Sequence, residues 1–412
     1  MSRILLITST LPWPLRRNGG GQRTALLRRA LEKWGTVDVL AIGGAQLMDE
    51  PIGSESLAEH GVVKIVLREK HEKPAPWYAA GPLRGMHDLL ESWRDRFRPD
   101  AAAQAWLASQ PRYDVIVARY LAAAMQGGVG TEPAGDAPVL LDFDDMEWQT
   151  LQAQLTHAPW PGLKGKVGAS MALREVRRLC FASLSLFNHI WVTSDEDDAL
   201  LPYDAPTHDV LPNIPYAQGD PVPGESAPND VLFVGDLQFP PNREGLDRFF
   251  TQAWPKITAA IPQVVMRVVG RGLTDDQRAR WSKIPGVDVI GYAPNLAQCY
   301  QRAAVCIVPT FFGGGTKIKV LEALQYERAV VTTEHAMRGY RALNADAPTV
   351  WVAADIAGIA DGCIALLKDA PLRRDMARRG KIAVDRMFSF DRFQKVVDIA
   401  MKPLIPSAAV QV

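Results

Sequence analysis

Cysteine is scarce in this 412-residue chain: there are four (Cys180, Cys299, Cys306 and Cys363), and no two form a CxxC pair. Scattered in this way, three of them in apolar contexts, they argue against a disulfide framework or a zinc knuckle and read as reduced core residues of a cytosolic protein. Neither sign of charge is in excess, with 46 Lys+Arg against 46 Asp+Glu. A general nucleic-acid binder usually carries an overall basic field, so that class is set aside. No apolar run approaches the ~18 residues of a membrane span. After Met1-Ser2-Arg3 the run ILLI is broken by ITST and then by prolines, which is not the pattern of a signal peptide. The expectation is a protein kept inside the cell. The seven histidines form no spaced cluster, so no metal site is expected. Two nucleotide signatures are missing as well. GxxxxGK[ST] does not occur, and no GxGxxG follows the first strand directly, which lowers the prior for P-loop and hydride-transfer chemistry.

What is present is the composition of a soluble globular protein, 47% apolar and 22% charged. The length exceeds one ordinary core, so two domains of roughly 200 residues each are expected. RILLIT reads as a strand, the segment from Gln22 to Gly35 as a helix, and VDVLAIG and GVVKIVLR as further strands. Helices follow at Leu83 to Arg98 and Ala101 to Ser109, then the strands YDVIVARY and APVLLDFDD. A long helix is predicted from Lys166 to His189, with Ala169, Leu173, Val176, Cys180, Leu184 and Phe187 as its buried stripe. HIWVTS is the next strand, and Ser194 caps a short helix. Tyr216 to Asn229 is rich in Pro, Gly and Ser without periodicity, which marks a linker. The pattern then restarts with DVLFVGDL, a helix over residues 245–257, VVMRVVGRG, GVDVIGY and a short helix NLAQCYQRA. Strands alternating with helices imply parallel, doubly wound sheets in two α/β halves. Ligands of such sheets sit outside the carboxyl ends of the strands, here in a cleft between the two halves.

The second half is organised around Val308 to Thr333, VPTFFGGGTKIKVLEALQYERAVVTT. A buried strand ending at Pro309 leads into Gly313, Gly314 and Gly315. Thr316 is placed as the N-cap of a helix whose apolar face is Ile318, Val320, Leu321 and Leu324, and AVVTT closes a βαβ unit. The glycines allow backbone amides to approach a ligand, and the helix start adds partial positive charge. Lys317 and Lys319 fall in the first turn, where the dipole disfavours cations unless an anion offsets them. This combination reads as a phosphate site.

With these residues in view, FVGDLQFPPNREGLDRFF, VVGRG and VDVIGYAPNLAQCYQRAAVCIVPTFFGGGTKIKVLEALQYERAVVTT resemble the nucleotide-sugar domain of group-1, family-4 glycosyltransferases, closest to the bacterial exopolysaccharide-associated sugar transferases. The GGGxR loop, LLDFDDMEWQTL, the REVRRL helix, WVTSDEDDALL and VLPN extend the resemblance over nearly the whole chain. It implies GT-B architecture, with two Rossmann-like doubly wound domains facing across a cleft. Residues 1–215 would form the acceptor-side domain, 216–229 the linker and 230–390 the nucleotide-sugar domain. A C-terminal helix, 391–412, would pack back on the first domain.

The same resemblance implies site residues. Glu322 matches the second glutamate of the family's Glu-(seven residues)-Glu motif and would hold the ribose hydroxyls. At the first glutamate's place stands Gly314, a departure that hands sugar or diphosphate contact to the backbone amides of Gly314 to Lys317. The family's Arg in the loop after the first strand of this domain becomes Asp236, beside Gly235, and Arg243 stands in loosely for its Lys. Diphosphate contact then passes to Lys317, Lys319 or Arg271, with Gly270 at the same strand end and Tyr292 at the base. On the acceptor side, Gly20, Gly21 and Arg23 would face the cleft, with Asp144 orienting a hydroxyl. A catalytic histidine of many relatives is replaced by Arg119-Tyr120. The Asp142-Phe143-Asp144-Asp145 run contains a DxD, but the GT-B resemblance argues against a metal role for it.

The implied activity is a retaining, metal-independent transfer of a sugar from a nucleoside-diphosphate donor to a hydroxyl acceptor, of hexosyltransferase type, in polysaccharide or glycoconjugate synthesis. The donor sugar is the substrate, with no further cofactor. The acceptor would be a saccharide or lipid-linked saccharide. Basic groups at Arg16, Arg17, Arg28, Arg29, Arg94, Arg96 and Arg98, and at Arg174, Arg177 and Arg178, are compatible with peripheral contact at an anionic inner membrane face and equally with ordinary solvated surface. Two alternatives stay open: a non-catalytic GT-B partner protein, which would bind nucleotide weakly, and a nucleotide-sugar epimerase, which would convert donor without acceptor.

Overall fold

The computed structural model describes residues 2–12, 19–44, 47, 62–68, 82–131, 135–157, 162–216 and 227–405. The chain divides into two compact units: residues 1–212 with 393–412, and residues 213–392. Arg16, Arg17 and most of the expected linker, 217–226, lie outside the described residues.

The first unit is built on seven parallel strands: β1 (Ser2–Thr8), β2 (Gly35–Gly43), β3 (Val63–Leu67), β4 (Val115–Arg119), β5 (Val139–Asp142), β6 (His189–Val192) and β7 (His208–Val210), in the order β3-β2-β1-β4-β5-β6-β7. Continuous apolar runs such as Ile4–Ile7 and Ile116–Ala118 are fully buried because helices cover both faces. The second unit holds six parallel strands, β8 (Asp230–Val234), β9 (Val265–Val269), β10 (Val287–Gly291), β11 (Val305–Val308), β12 (Ala329–Thr333) and β13 (Trp351–Ala353), in the order β10-β9-β8-β11-β12-β13. Each unit has its own apolar core, one centred on Ile116, Leu141, Val176 and Ile190, the other on Phe233, Phe249, Ile307 and Val331. Both are the doubly wound α/β sheets expected from the sequence.

Several element boundaries differ from expectation, for local reasons. The long helix runs from Gly162 to Ala182 and tightens into a 3-10 turn at Ser183–Leu186. There the hydroxyls of Ser183 and Ser185 donate to the carbonyls of Leu179 and Ala182, competing with the helical ladder. The helix expected at 245–257 spans Pro240–Arg248, a π turn Phe249–Ala253, and Trp254–Ala260. The π turn sits where Pro255, lacking an N–H, interrupts regular bonding. A helix at Asp275–Ser282 was not anticipated, because it buries only Trp281 and has no apolar period; a Thr274/Gln277 capping box starts it instead.

All four cysteines are free; Cys180, Cys306 and Cys363 are buried and Cys299 is half-buried. The final helix, Phe390–Met401, is tied to the first unit. Asp398 accepts from Lys33 Nζ at 2.6 Å and Trp34 Nε1 at 2.9 Å, and Gln394 donates to the carbonyl of Ala30. Among the described residues no helix is long and apolar enough to cross a membrane.

Candidate functional site

In the second unit the sheet reverses its winding between β8 and β11, with β9 and β10 on one side and β12 and β13 on the other. Loops leaving an open parallel sheet splay apart at that point and leave room for a ligand. The loop after β8 runs through Gly235 and Asp236, and the loop after β11 through Gly313 to Ile318.

Gly235 and Gly270 directly follow β8 and β9, side by side. The Gly235 amide donates to Val269 O at 3.0 Å, and Leu237 N to Arg271 O at 2.8 Å, so the strand pairing continues into the loops. A Cβ on Gly270 would lie 1.8 Å from the carbonyl oxygen of Gly235, which only glycine permits. Over the open face of Gly235 sits the ammonium of Lys319: a Cβ there would be 2.7 Å from Nζ. Lys319 Nζ donates to Asn242 Oδ1 at 2.6 Å and stands 4.7 Å from the centroid of the Phe233 ring. Burial, with the neighbouring charge of Lys317, brings its pKa down to about 7, against the opposing pull of Glu322 and Asp236.

The glycine loop has its own geometry. Gly313 and Gly315 adopt φ of 109° and 65°, and Gly314 is not among the positive-φ glycines. Gly313 packs against Phe239 and Pro241, and its carbonyl meets His335 Nε2 at 3.0 Å. Burial and the charge of Lys317 hold His335 down to about 4, so it is neutral at physiological pH. Lys317, 6% exposed, donates to the carbonyls of Gly314 and Gly315, both at 2.7 Å. Its charge therefore shapes the loop from within.

Two expectations are corrected here. The helix is Lys319–Gln325, so Thr316 is not its cap; Ile318 holds that place without a capping side chain. Thr316 instead accepts a hydrogen bond from Asn213 Nδ2 at 2.9 Å. Lys317 accordingly precedes the helix, and a seven-residue helix contributes little dipole. The positive charge at this site comes from lysine side chains.

Glu322 is half-buried one turn into that helix, and Tyr300 donates its hydroxyl toward Oε2 at 3.4 Å. Burial keeps the Tyr300 hydroxyl protonated, and its ring stacks on Tyr326 at 4.7 Å. Arg271 lies 3.5 Å from Asp236, whose other oxygen accepts from the Gln238 amide. Arg243 is used to brace the loop, donating to the carbonyls of Leu237 and Gln238. Tyr292, 71% exposed, stands free just past the end of β10. The structure thus gathers Gly235, Gly270, Lys319, Gly313, Gly314, Gly315, Thr316 and Lys317 at one end of the β8–β11 junction, with Glu322 one turn further on. Asn242, Tyr300 and His335 were missed by sequence reading, since nothing local marks them; only the fold brings them here.

In the first unit the equivalent reversal lies between β1 and β4. That place is filled by Arg119, whose side chain has no exposed surface. Its Nη1 donates to Thr10 Oγ1, Thr24 Oγ1 and the carbonyl of Gly20 at 2.7–2.8 Å. Nη2 donates to Asp144, and Nε is 3.2 Å from Asp142. Arg23 closes the cluster with a two-pronged bond to Asp142, at 2.9 Å and 2.6 Å, and a third to Leu211 O. Arg23, expected to face a ligand, is 1% exposed and turned inward, because two buried carboxylates need guanidinium partners. Gly20 and Gly21 belong to the first turn of the helix Gly19–Glu32, not to a loop ahead of it. Among the described residues no cluster of His, Cys, Asp and Glu could hold a metal ion.

Residues 228–369 match the family of group 1 glycosyl transferases. No curated protein matches the chain significantly. Among solved structures, sucrose-phosphate synthase from Thermosynechococcus elongatus is similar at 16% identity and TM-score 0.65, over 98% of this chain and 99% of that one. HepE from Anabaena, solved in complex with UDP-glucose, is similar at 13% identity and TM-score 0.63, over 98% and 100%. TarM gives 14% identity and TM-score 0.59, over 74% of this chain, and the match spans 58% of TarM. The second unit carries a group 1 glycosyl transferase domain, and the chain as a whole has the GT-B fold.

Proposed function

We propose that this protein transfers a sugar from a nucleoside-diphosphate donor to a hydroxyl acceptor, with retention at the anomeric carbon and without a metal ion. The observation that carries the reading is the placement of Lys319, Gly235 and the Gly313–Gly315 loop at the β8–β11 junction of the group 1 domain, with Glu322 one turn further on. A departing nucleoside diphosphate gains negative charge as the glycosidic bond breaks, and fixed cations in a partly dry site stabilise that charge. Lys319, with Arg271 nearby, supplies charge that a divalent ion would otherwise bring, which supports the metal-independent form. Glu322, oriented by Tyr300, has the chemistry to accept two ribose hydroxyls, and Tyr292 offers an exposed ring for a base. The UDP complexes of HepE make UDP the first donor nucleotide to try.

The acceptor is assigned to the first unit, where Gly20, Gly21 and Asp144 lie around the buried Arg119 cluster. A saccharide or lipid-linked saccharide acceptor, in polysaccharide assembly, fits this reading. Calorimetry with UDP, GDP and TDP tests it. One of the three is expected to bind, and Glu322→Ala to weaken that binding about 10–100-fold, as for loss of hydrogen bonds to a charged group. Absence of binding by all three would sink the proposal.

A further inference from the structure

Two lysines border the glycine loop, and their surroundings differ. Lys317 has its ammonium closed in by the carbonyls of Gly314 and Gly315, each 2.7 Å away, and 6% of the residue reaches solvent. Lys319 is half-buried, points across to the other loop, and fills the space that a side chain on Gly235 would take. A neutral amide oxygen, Asn242 Oδ1, holds it there at 2.6 Å.

Resting on the nucleotide reading above, we propose that Lys319, and not Lys317, is the cation that meets the donor's diphosphate, with Asn242 holding its ammonium over Gly235 until the anion arrives. Lys317 is then a positioning residue that sets the curvature of the Gly313–Gly315 loop. The bare glycine at 235 is part of the device, since any Cβ would occupy the ammonium's place.

A consequence follows for protons. The charged groups facing Lys319 are Lys317 from its own loop, Glu322 from its own helix and Asp236 from the loop after β8; Arg271 pairs with Asp236, and His335 across the glycine loop is neutral. With its pKa near 7, Lys319 in the free protein is largely uncharged at pH 8. An arriving diphosphate favours the ammonium and raises that pKa. Binding at pH 8 therefore takes up a proton, and affinity falls as pH climbs from 7 toward the bound-state pKa. Ionisation of the nucleotide's own terminal phosphate, near pH 6, lies below this window.

The test is calorimetry at pH 8 in two buffers of different ionisation enthalpy, using whichever of UDP, GDP and TDP binds most tightly and the matching nucleoside as control. Expected are uptake of close to one proton per nucleoside diphosphate, none for the nucleoside, a loss of tenfold or more in affinity for Lys319→Met, and binding without proton uptake for Lys319→Arg. Lys317→Met removes a neighbouring charge that helps to lower the Lys319 pKa, so it is expected to reduce the proton uptake without abolishing it. Diphosphate binding with no uptake, or uptake retained in Lys319→Arg, overturns the assignment while leaving the nucleotide reading standing. No binding of any of the three overturns both. Lys319 is held by a neutral amide and not by a carboxylate, so Lys319→Met breaks no ion pair and is expected to fold.

Discussion

Arg119→Met is expected to destabilise the first unit by about 3–5 kcal/mol, the usual cost of breaking a buried ion pair from one side. Arg119 gathers five oxygen atoms from three separate segments: Thr10, Gly20 and Thr24 around the first helix, and Asp142 and Asp144 at the end of β5. Methionine fills a similar volume but supplies no donor. Asp142 would keep its two-pronged bond from Arg23, whereas Asp144 would lose the Nη2 donor and keep Arg23 only at 3.8 Å. Lysine at 119 keeps the charge and loses the fork, so Arg119→Lys should recover part of the loss and not all of it. Pairing Arg119→Met with Asp144→Leu removes both charges and should recover most of it. Denaturant unfolding followed by tryptophan fluorescence measures each variant; a loss below about 1 kcal/mol for Arg119→Met would show that the cluster is not what holds the β1–β4 junction closed.

The second large effect is expected from Gly270→Ala. The new Cβ would stand 1.8 Å from Gly235 O, a backbone atom that no rotamer can move aside. Gly235 N and Leu237 N are bonded to Val269 O and Arg271 O, on either side of Gly270, so relief must come from separating the ends of β8 and β9. The cost expected is about 1–3 kcal/mol or more, as for other forced backbone shifts. Gly235 carries the face on which the Lys319 ammonium rests, so nucleoside-diphosphate affinity should fall with it, more than tenfold. Gly286→Ala provides the comparison. Its φ of 76° makes it a strained substitution in the same unit, against Val264 O and the Trp254 ring, away from the β8–β11 loops. It should cost stability and leave nucleotide affinity unchanged. Equal loss of affinity in both variants would remove the case for a site at the strand ends.

How much of this was legible in the chain differs by feature. Strands such as ILLIT and VCIV announce themselves because a parallel strand buried on both faces must be apolar throughout. The αβ alternation then leads to two wound sheets, and the glycine loop between β11 and its helix marks the second junction. Beyond that, long-range partners decide. Thr316 has the composition of a cap, yet Asn213, far away in sequence, claims its hydroxyl, and the helix starts three residues later. Arg23 reads as a cleft-facing residue beside a glycine run; Asp142, which turns it inward, lies on a strand 119 positions on. Lys319 was visible as a cation near a glycine loop. Its holding partner Asn242, 77 positions earlier, was not. Polar residues acquire their roles from the fold, and a single sequence carries no local sign of which distant group will pair with them.

On the reading proposed above, the β8–β11 junction is a nucleoside-diphosphate site. That reading is tested most directly by a crystal structure of the protein soaked with whichever of UDP, GDP and TDP binds most tightly. Diphosphate density is expected within hydrogen-bonding distance of Lys319 Nζ and the Gly313–Thr316 backbone, with Asn242 released from the lysine and the ribose hydroxyls on Glu322. Nucleotide bound at the β1–β4 junction of the first unit, or with its diphosphate turned away from Lys319, would contradict it.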